Sequence, residues 1–178
     1  MGYFLKNKIF MAAVLLTAAG SYGFAVTHES IGVDDTLVKL YLDQGLEAYM
    51  GRWTIYLLNK LFRVDNFMPF VTELGGVLLL LAGVLLFCVL FKRIFGDGIG
   101  ILGYAVFSCV FISYPFISEE WVYYYHNGVD LGYILLTLSL LLFMEGFVHT
   151  GKKRVKYLLG SMGLLCAAVG CYESFLIL

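Results

Sequence analysis

The stretch VTELGGVLLLLAGVLLFCVLF, residues 71–91, followed at once by Lys92 and Arg93, decides the fold of this chain. A bilayer's hydrocarbon core is roughly 30 Å thick and a helix rises about 1.5 Å per residue, so about 20 apolar residues cross it. In lipid a helix satisfies its own backbone polar groups over that length, and the run is continuous where a barrel strand would alternate. Four more segments read the same way: Ile9 to Val26, Gly98 to Ile117, Leu131 to Val148 and Tyr157 to Leu178. Composition agrees, with 61% hydrophobic and 17% aromatic residues and a strongly positive mean hydropathy. The expectation is an all-α, polytopic transmembrane helix bundle of about five spans, a single membrane domain over residues 1–178 whose partner is the lipid bilayer. A net charge of −1 gives no reason to expect a nucleic-acid partner.

Orientation follows from the basic residues. Lys6 and Lys8 precede the first span, Lys92 and Arg93 follow the second, and Lys152, Lys153, Arg154 and Lys156 separate the fourth from the fifth. Five crossings put all of these on one side, leaving Lys39, Arg52, Lys60 and Arg63 opposite. The first side is the cytoplasm by the positive-inside rule, and the N-terminus starts there. The acids Glu29, Asp34, Asp35, Asp43, Glu47, Asp65, Glu119, Glu120 and Asp130 then face outward. Cys88, Cys109, Cys166 and Cys171 lie inside predicted spans without metal-ligand spacing and read as small apolar residues.

Residues 27–70 form the first extracytoplasmic loop, with an organisation of its own. Lys39, Asp43 and Glu47 recur every four residues among apolar neighbours, which predicts an amphipathic helix. After Gly51, Arg52, Asn59 and Arg63 share a face while Trp53, Ile55, Leu57, Leu58, Leu61 and Phe62 fill the rest. A second short helix lying in the membrane interface, ending before Pro69, is expected there.

Three groups of polar residues stand out on the outer side. Asp34 and Asp35 open the loop helix; one carboxylate suits the helix cap, and its neighbour, about 100° away, projects elsewhere. Glu119, Glu120 and His126 return to the same membrane face within an aromatic stretch that also suits an interfacial belt. Carboxylates with an imidazole suit a divalent cation, the one candidate cofactor, although no tight ligand motif is present. Glu173 falls about sixteen residues into the predicted last span, where a carboxylate is costly and faces a cavity or a partner.

The order of these features resembles a family. A basic cytoplasmic start, one span, an outer loop opening with Ile31-Gly-Val-Asp-Asp35, a Gly51-Arg-Trp53 element and a later Tyr172-Glu-Ser174 look like the bacterial type II O-antigen glucosyl transferases. These are polytopic glycosyltransferases of the GT-C class, and the resemblance runs from Met1 to Leu178. It implies transfer of glucose from an undecaprenyl-phosphate-linked donor to a glycan acceptor such as O-antigen, on the outer face of the bacterial inner membrane. The acidic residue that such enzymes carry in the first outer loop maps onto Asp34 or Asp35, as general base and as stabiliser of the developing positive charge. Arg52 and Arg63 then offer donors to the lipid phosphate, or to ordinary headgroups, with Glu119, Glu120, His126 and Glu173 on the substrate side.

Members of that family are considerably longer, so the resemblance also implies that these residues are the N-terminal part of a larger enzyme. Two other classes fit the composition. A transporter or flippase subunit uses intramembrane acids as an ion path, and an accessory membrane protein packs its helices on a partner through glycines such as Gly75, Gly96 to Gly103 and Gly160 to Gly163. The outer acidic pair favours the transferase, because a transporter places its ionisable groups near the midplane.

Overall fold

The computed structural model describes residues 2–28, 46–62, 69–114 and 126–176. Among them there are helices and no strand: α1 (Gly2–Lys6), α2 (Lys8–Thr27), α3 (Leu46–Tyr49), α4 (Trp53–Phe62), α5 (Pro69–Phe95), α6 (Ile101–Ile112), α7 (His126–Val148), α8 (Gly151–Val169) and a 3-10 turn, Glu173–Leu176. Three helices are long and apolar enough to cross a membrane, Lys8–Thr27, Glu73–Phe95 and Gly128–Val148, and Ile101–Ile112 is a shorter apolar helix. This is a helical membrane protein, as the apolar runs predict.

Two predicted spans end elsewhere. Hydropathy carries the third to Ile117, but α6 stops at Ile112 and rises only about 18 Å. Ser113 ends it: its amide and its hydroxyl both donate to the Cys109 carbonyl, and Tyr114 precedes Pro115, which disfavours helical backbone there. The fifth span is expected from Tyr157 to Leu178, whereas α8 runs from Gly151 to Val169 and is not among the helices long and apolar enough to cross. Lysine and arginine are good helix formers, so the basic run joins the helix that hydropathy alone begins after it. At the other end Gly170 and Cys171 close the helix with bonds back to Cys166, Ala167 and Ala168.

The described helices form two compact units. In the first, α2 packs against α5 and α6. Phe10, Val14, Ala18 and Tyr22 bury one stripe of α2, and Tyr104, Ser108 and Ile112 bury one stripe of α6. Both have the four-residue spacing of ridges that interlock with a neighbour. Leu80, Val84, Leu85 and Cys88 of α5 complete the core, and Phe4 of α1 closes one end, its ring 5.4 Å from Phe10 and 5.0 Å from Tyr104. At that end Lys92 lays its ammonium 3.3 Å from the centre of the Tyr3 ring, a basic side chain held at the rim of an apolar bundle. Hydrogen bonds cross the packed helices as well: the Tyr22 hydroxyl donates to the Ile112 carbonyl at 2.5 Å, and Thr17 reaches the Cys109 sulfur at 3.2 Å. Without water to compete, such bonds join helices that apolar packing alone would let slide.

Candidate functional site

The second unit contains α3, α4, α7 from Gly128 onward, α8 and the 3-10 turn. Its helices α7 and α8 are joined through His149 and Thr150, and the Ser139 hydroxyl of α7 donates to the Ser161 carbonyl of α8 at 2.8 Å. At the far end of α8 the chain meets the start of α4. A helix leaves its first N–H groups and its last carbonyls without partners, and here one set serves the other. The Thr54 amide donates to the Gly170 carbonyl at 3.0 Å, and the Thr54 hydroxyl donates to the Ala167 carbonyl at 2.9 Å. The positive end of the α4 dipole thereby meets the negative end of the α8 dipole. Gly170 is the residue that allows this approach, because a Cβ there would lie 2.5 Å from Trp53 Cε2 and 2.6 Å from its Nε1.

A charged pair flanks that junction. Arg52 directly precedes α4 and Glu173 follows α8, and they pair side by side: Nε donates to Oε2 at 3.2 Å and Nη2 donates to Oε1 at 3.3 Å. The Arg52 guanidinium also stacks over the Tyr172 ring, 4.7 Å from its centre. Each charge faces the wrong end of its own helix dipole but the right end of the other's, so the pair and the junction support each other. Arg52 holds the Glu173 carboxyl below the usual carboxylate range, with partial burial opposing it. The side chains are 29% and 58% exposed, so the ion pair itself contributes at most about 1 kcal/mol.

Phe175, in the 3-10 turn, packs this cluster on α7. Its ring lies 5.2 Å from Tyr133 and 6.5 Å from Tyr172, and a Cβ at Gly132 would enter it. One turn earlier a Cβ at Gly128 would lie 2.6 Å from Ile55 of α4. Close approaches thus fall on Gly128, Gly132 and Gly170, and on Gly146, where a Cβ would lie 2.7 Å from Leu158. Of the glycines that the sequence marks as candidate contact points, a Cβ at Gly75, Gly96, Gly100 or Gly163 would meet nothing within 4 Å, whereas one at Gly103 would lie 2.8 Å from Ile99, one at Gly98 3.1 Å from the Phe95 carbonyl and one at Gly160 3.3 Å from Leu142. A helix, α4, stands where the second loop helix is expected, with Trp53, Leu57 and Leu61 exposed along one stripe. Of the first, only Leu46–Tyr49 is described.

Two of the sequence-derived site residues, Arg52 and Glu173, are thus brought together across 121 residues of chain. Asp34, Asp35, Arg63, Glu119 and Glu120 lie outside the described residues, as does the side chain of His126, whose backbone opens α7. Glu173 stands in a half-exposed turn beyond the end of α8, and not within a continuous apolar helix as its position in the predicted span suggests. Sequence reasoning misses Glu73 and gives Asp130 no role, yet both are buried, 8% and 2% exposed, in the second turn of α5 and α7. Acids inside apolar helices mark functional sites by default, and that signal is present in the sequence. Among the described residues no three His, Cys, Asp or Glu residues are grouped to hold a metal ion.

The family described as glucosyl transferase GtrII matches residues 23–178, a stretch that includes Asp34, Asp35, Arg52 and Glu173. No curated protein and no solved structure matches the chain. A match over that much of the sequence, on a helical membrane fold, is decisive: the chain belongs to the glucosyl transferase GtrII family.

Proposed function

We propose that this glucosyl transferase takes glucose from an undecaprenyl-phosphate carrier and delivers it to a cell-envelope glycan such as O-antigen, at the outer face of the bacterial inner membrane. The family match over residues 23–178 carries this reading, and it favours a transferase over a transporter or an accessory protein. The basic residues Lys92, Arg93, Lys152, Lys153, Arg154 and Lys156 support a multi-pass arrangement with a cytoplasmic N-terminus and an extracytoplasmic site.

In the proposed reaction a glycan hydroxyl attacks the anomeric carbon and the bond from that carbon to the phosphate oxygen breaks. The electron pair leaves with the phosphate. Asp34 or Asp35 accepts the hydroxyl proton and stabilises the positive charge that develops on the sugar. Arg52 and Arg63 bind the departing lipid phosphate, for which a guanidinium is suited as a planar, permanently charged donor. Glu119, Glu120 and His126 face the sugar and its acceptor, with or without a divalent cation.

Labelled undecaprenyl-phosphate glucose supplied to membranes containing the full-length protein tests this directly. Label should appear in the glycan, and should not when the donor is the corresponding nucleotide sugar. Transfer from the nucleotide sugar in the absence of any lipid carrier would sink the proposal.

A further inference from the structure

We infer that Glu173 is a positioning residue, which acts on the donor through Arg52 and does not itself meet the sugar; this rests on the proposed binding of the donor phosphate by Arg52. The geometry is that of a guanidinium fixed on two sides. Its side edge, Nε with Nη2, is taken by the Glu173 carboxylate at 3.2 and 3.3 Å, and one of its faces is covered by Tyr172. A guanidinium has a second fork, made by Nη1 with the remaining proton of Nη2. Among the described residues no hydrogen-bond acceptor pairs with that end edge. Two oxygens of a phosphate fit it as a bidentate pair, without displacing Glu173.

The backbone around the pair supports this reading. Thr54 ties the residue after Trp53 to Gly170 and Ala167, so the start of α4 is anchored to the end of α8 even without the ion pair. Glu173 is thus not needed to bring the segments together. What it adds is the orientation of one long, otherwise free side chain, which lowers the ordering cost of phosphate binding. Its carboxylate also keeps the isolated site near neutral, so that net charge accumulates only when the phosphate arrives.

The experiment measures transfer from undecaprenyl-phosphate glucose by the full-length protein in lipid nanodiscs, with donor KM and kcat determined separately. Glu173→Ala should raise donor KM about tenfold with kcat within about twofold, and Glu173→Gln, which retains one acceptor oxygen for the guanidinium, should recover part of the loss. Added to Arg52→Ala, the Glu173→Ala change should cost less than about twofold more, because its effect passes through the arginine. The exchanged pair Arg52→Glu with Glu173→Arg should regain thermal stability relative to either single change but leave donor KM high. A fall in kcat at unchanged donor KM, independent effects in the double variant, or recovery of donor KM by the exchanged pair would each overturn the inference. If Arg52→Ala leaves donor KM unchanged while transfer persists, the inference and the role of Arg52 fall and the transferase stands; if the unaltered protein transfers no glucose from this donor, both fall.

Discussion

The two units of this protein are held together by different means. In the first, α2, α5 and α6 interlock stripes of Phe10, Val14, Ala18, Leu80, Val84 and Ile112, and hydrogen bonds between them, Tyr22 to Ile112 and Cys88 with Ser108, lie within the packed interior. In the second, glycines such as Gly128, Gly132, Gly146 and Gly170 let the side chains opposite approach, and the decisive bonds gather at one junction, where Thr54 meets Gly170 and Arg52 meets Glu173. Apolar stripes tolerate exchange of one side chain for another of similar volume, whereas a glycine beneath a ring tolerates almost nothing. The first arrangement suits a scaffold. The second brings a cation, a carboxylate and aromatic rings to a place they can be used, at the cost of depending on a few contacts.

The largest expected effect concerns chemistry. If the acids of the outer loop do the work assigned to them, either Asp34→Asn or Asp35→Asn should slow transfer about 10²- to 10⁴-fold with insertion intact, and the other should have a mild effect, because asparagine caps a helix nearly as well. Near-normal transfer by both variants would leave the second unit's charged junction as the better candidate for the centre of the site. Next comes packing. Gly132→Ala, whose methyl group would enter the Phe175 ring, should destabilise by about 1–3 kcal/mol, while Gly163→Ala should be neutral or slightly stabilising, as read from thermal unfolding in detergent. Equal effects at the two positions would erase the distinction between contact glycines and open ones.

Tyr22→Phe probes the first unit, and should cost only about 0.6–1 kcal/mol because the ring remains packed while the hydrogen bond to the Ile112 carbonyl is lost. A loss of several kcal/mol would mean that hydrogen bonds, and not stripes, hold that unit. The smallest effect is one of pH. The Glu173 carboxyl is held below its ordinary range in the folded protein, so the ion pair's stabilisation is fully present above the unfolded-state value and is lost as pH falls through the folded one. The stability difference between the unaltered protein and Glu173→Gln should therefore be constant near neutrality and vanish in acid, with a size of at most about 1 kcal/mol. A difference that grew on acidification would contradict the pairing.

The long apolar runs make most of the fold legible, because a period-independent hydrophobic stretch such as residues 71–91 has few alternatives in lipid. Helix ends are harder. Where α6 stops depends on a serine hydroxyl turning back on Cys109, and where α8 starts depends on charged residues that favour helix and lower hydropathy together. Arg52 and Glu173 are each legible as polar residues near a membrane surface, but their pairing is not, since 121 residues separate them and neither shares a periodic pattern with the other. Gly128, Gly132 and Gly170 escape notice for the same reason: what makes a glycine indispensable is the side chain opposite, which sequence spacing does not reveal. The acids at Asp34, Asp35, Glu119 and Glu120 stand on sequence alone.

The start of α8 has a consequence for the membrane itself. Lys152, Lys153, Arg154 and Lys156 are all exposed within its first two turns, where the backbone's own partial charge is positive. Each opposes the dipole by about 0.3–1 kcal/mol, and each gains about 1 kcal/mol from a surface rich in anionic lipid. With this end of α8 at a membrane surface, as the proposed topology has it, anionic headgroups would supply the counter-charge that the helix lacks, and the first turns of α8 should exchange their amide protons more slowly as the anionic fraction of the bilayer rises.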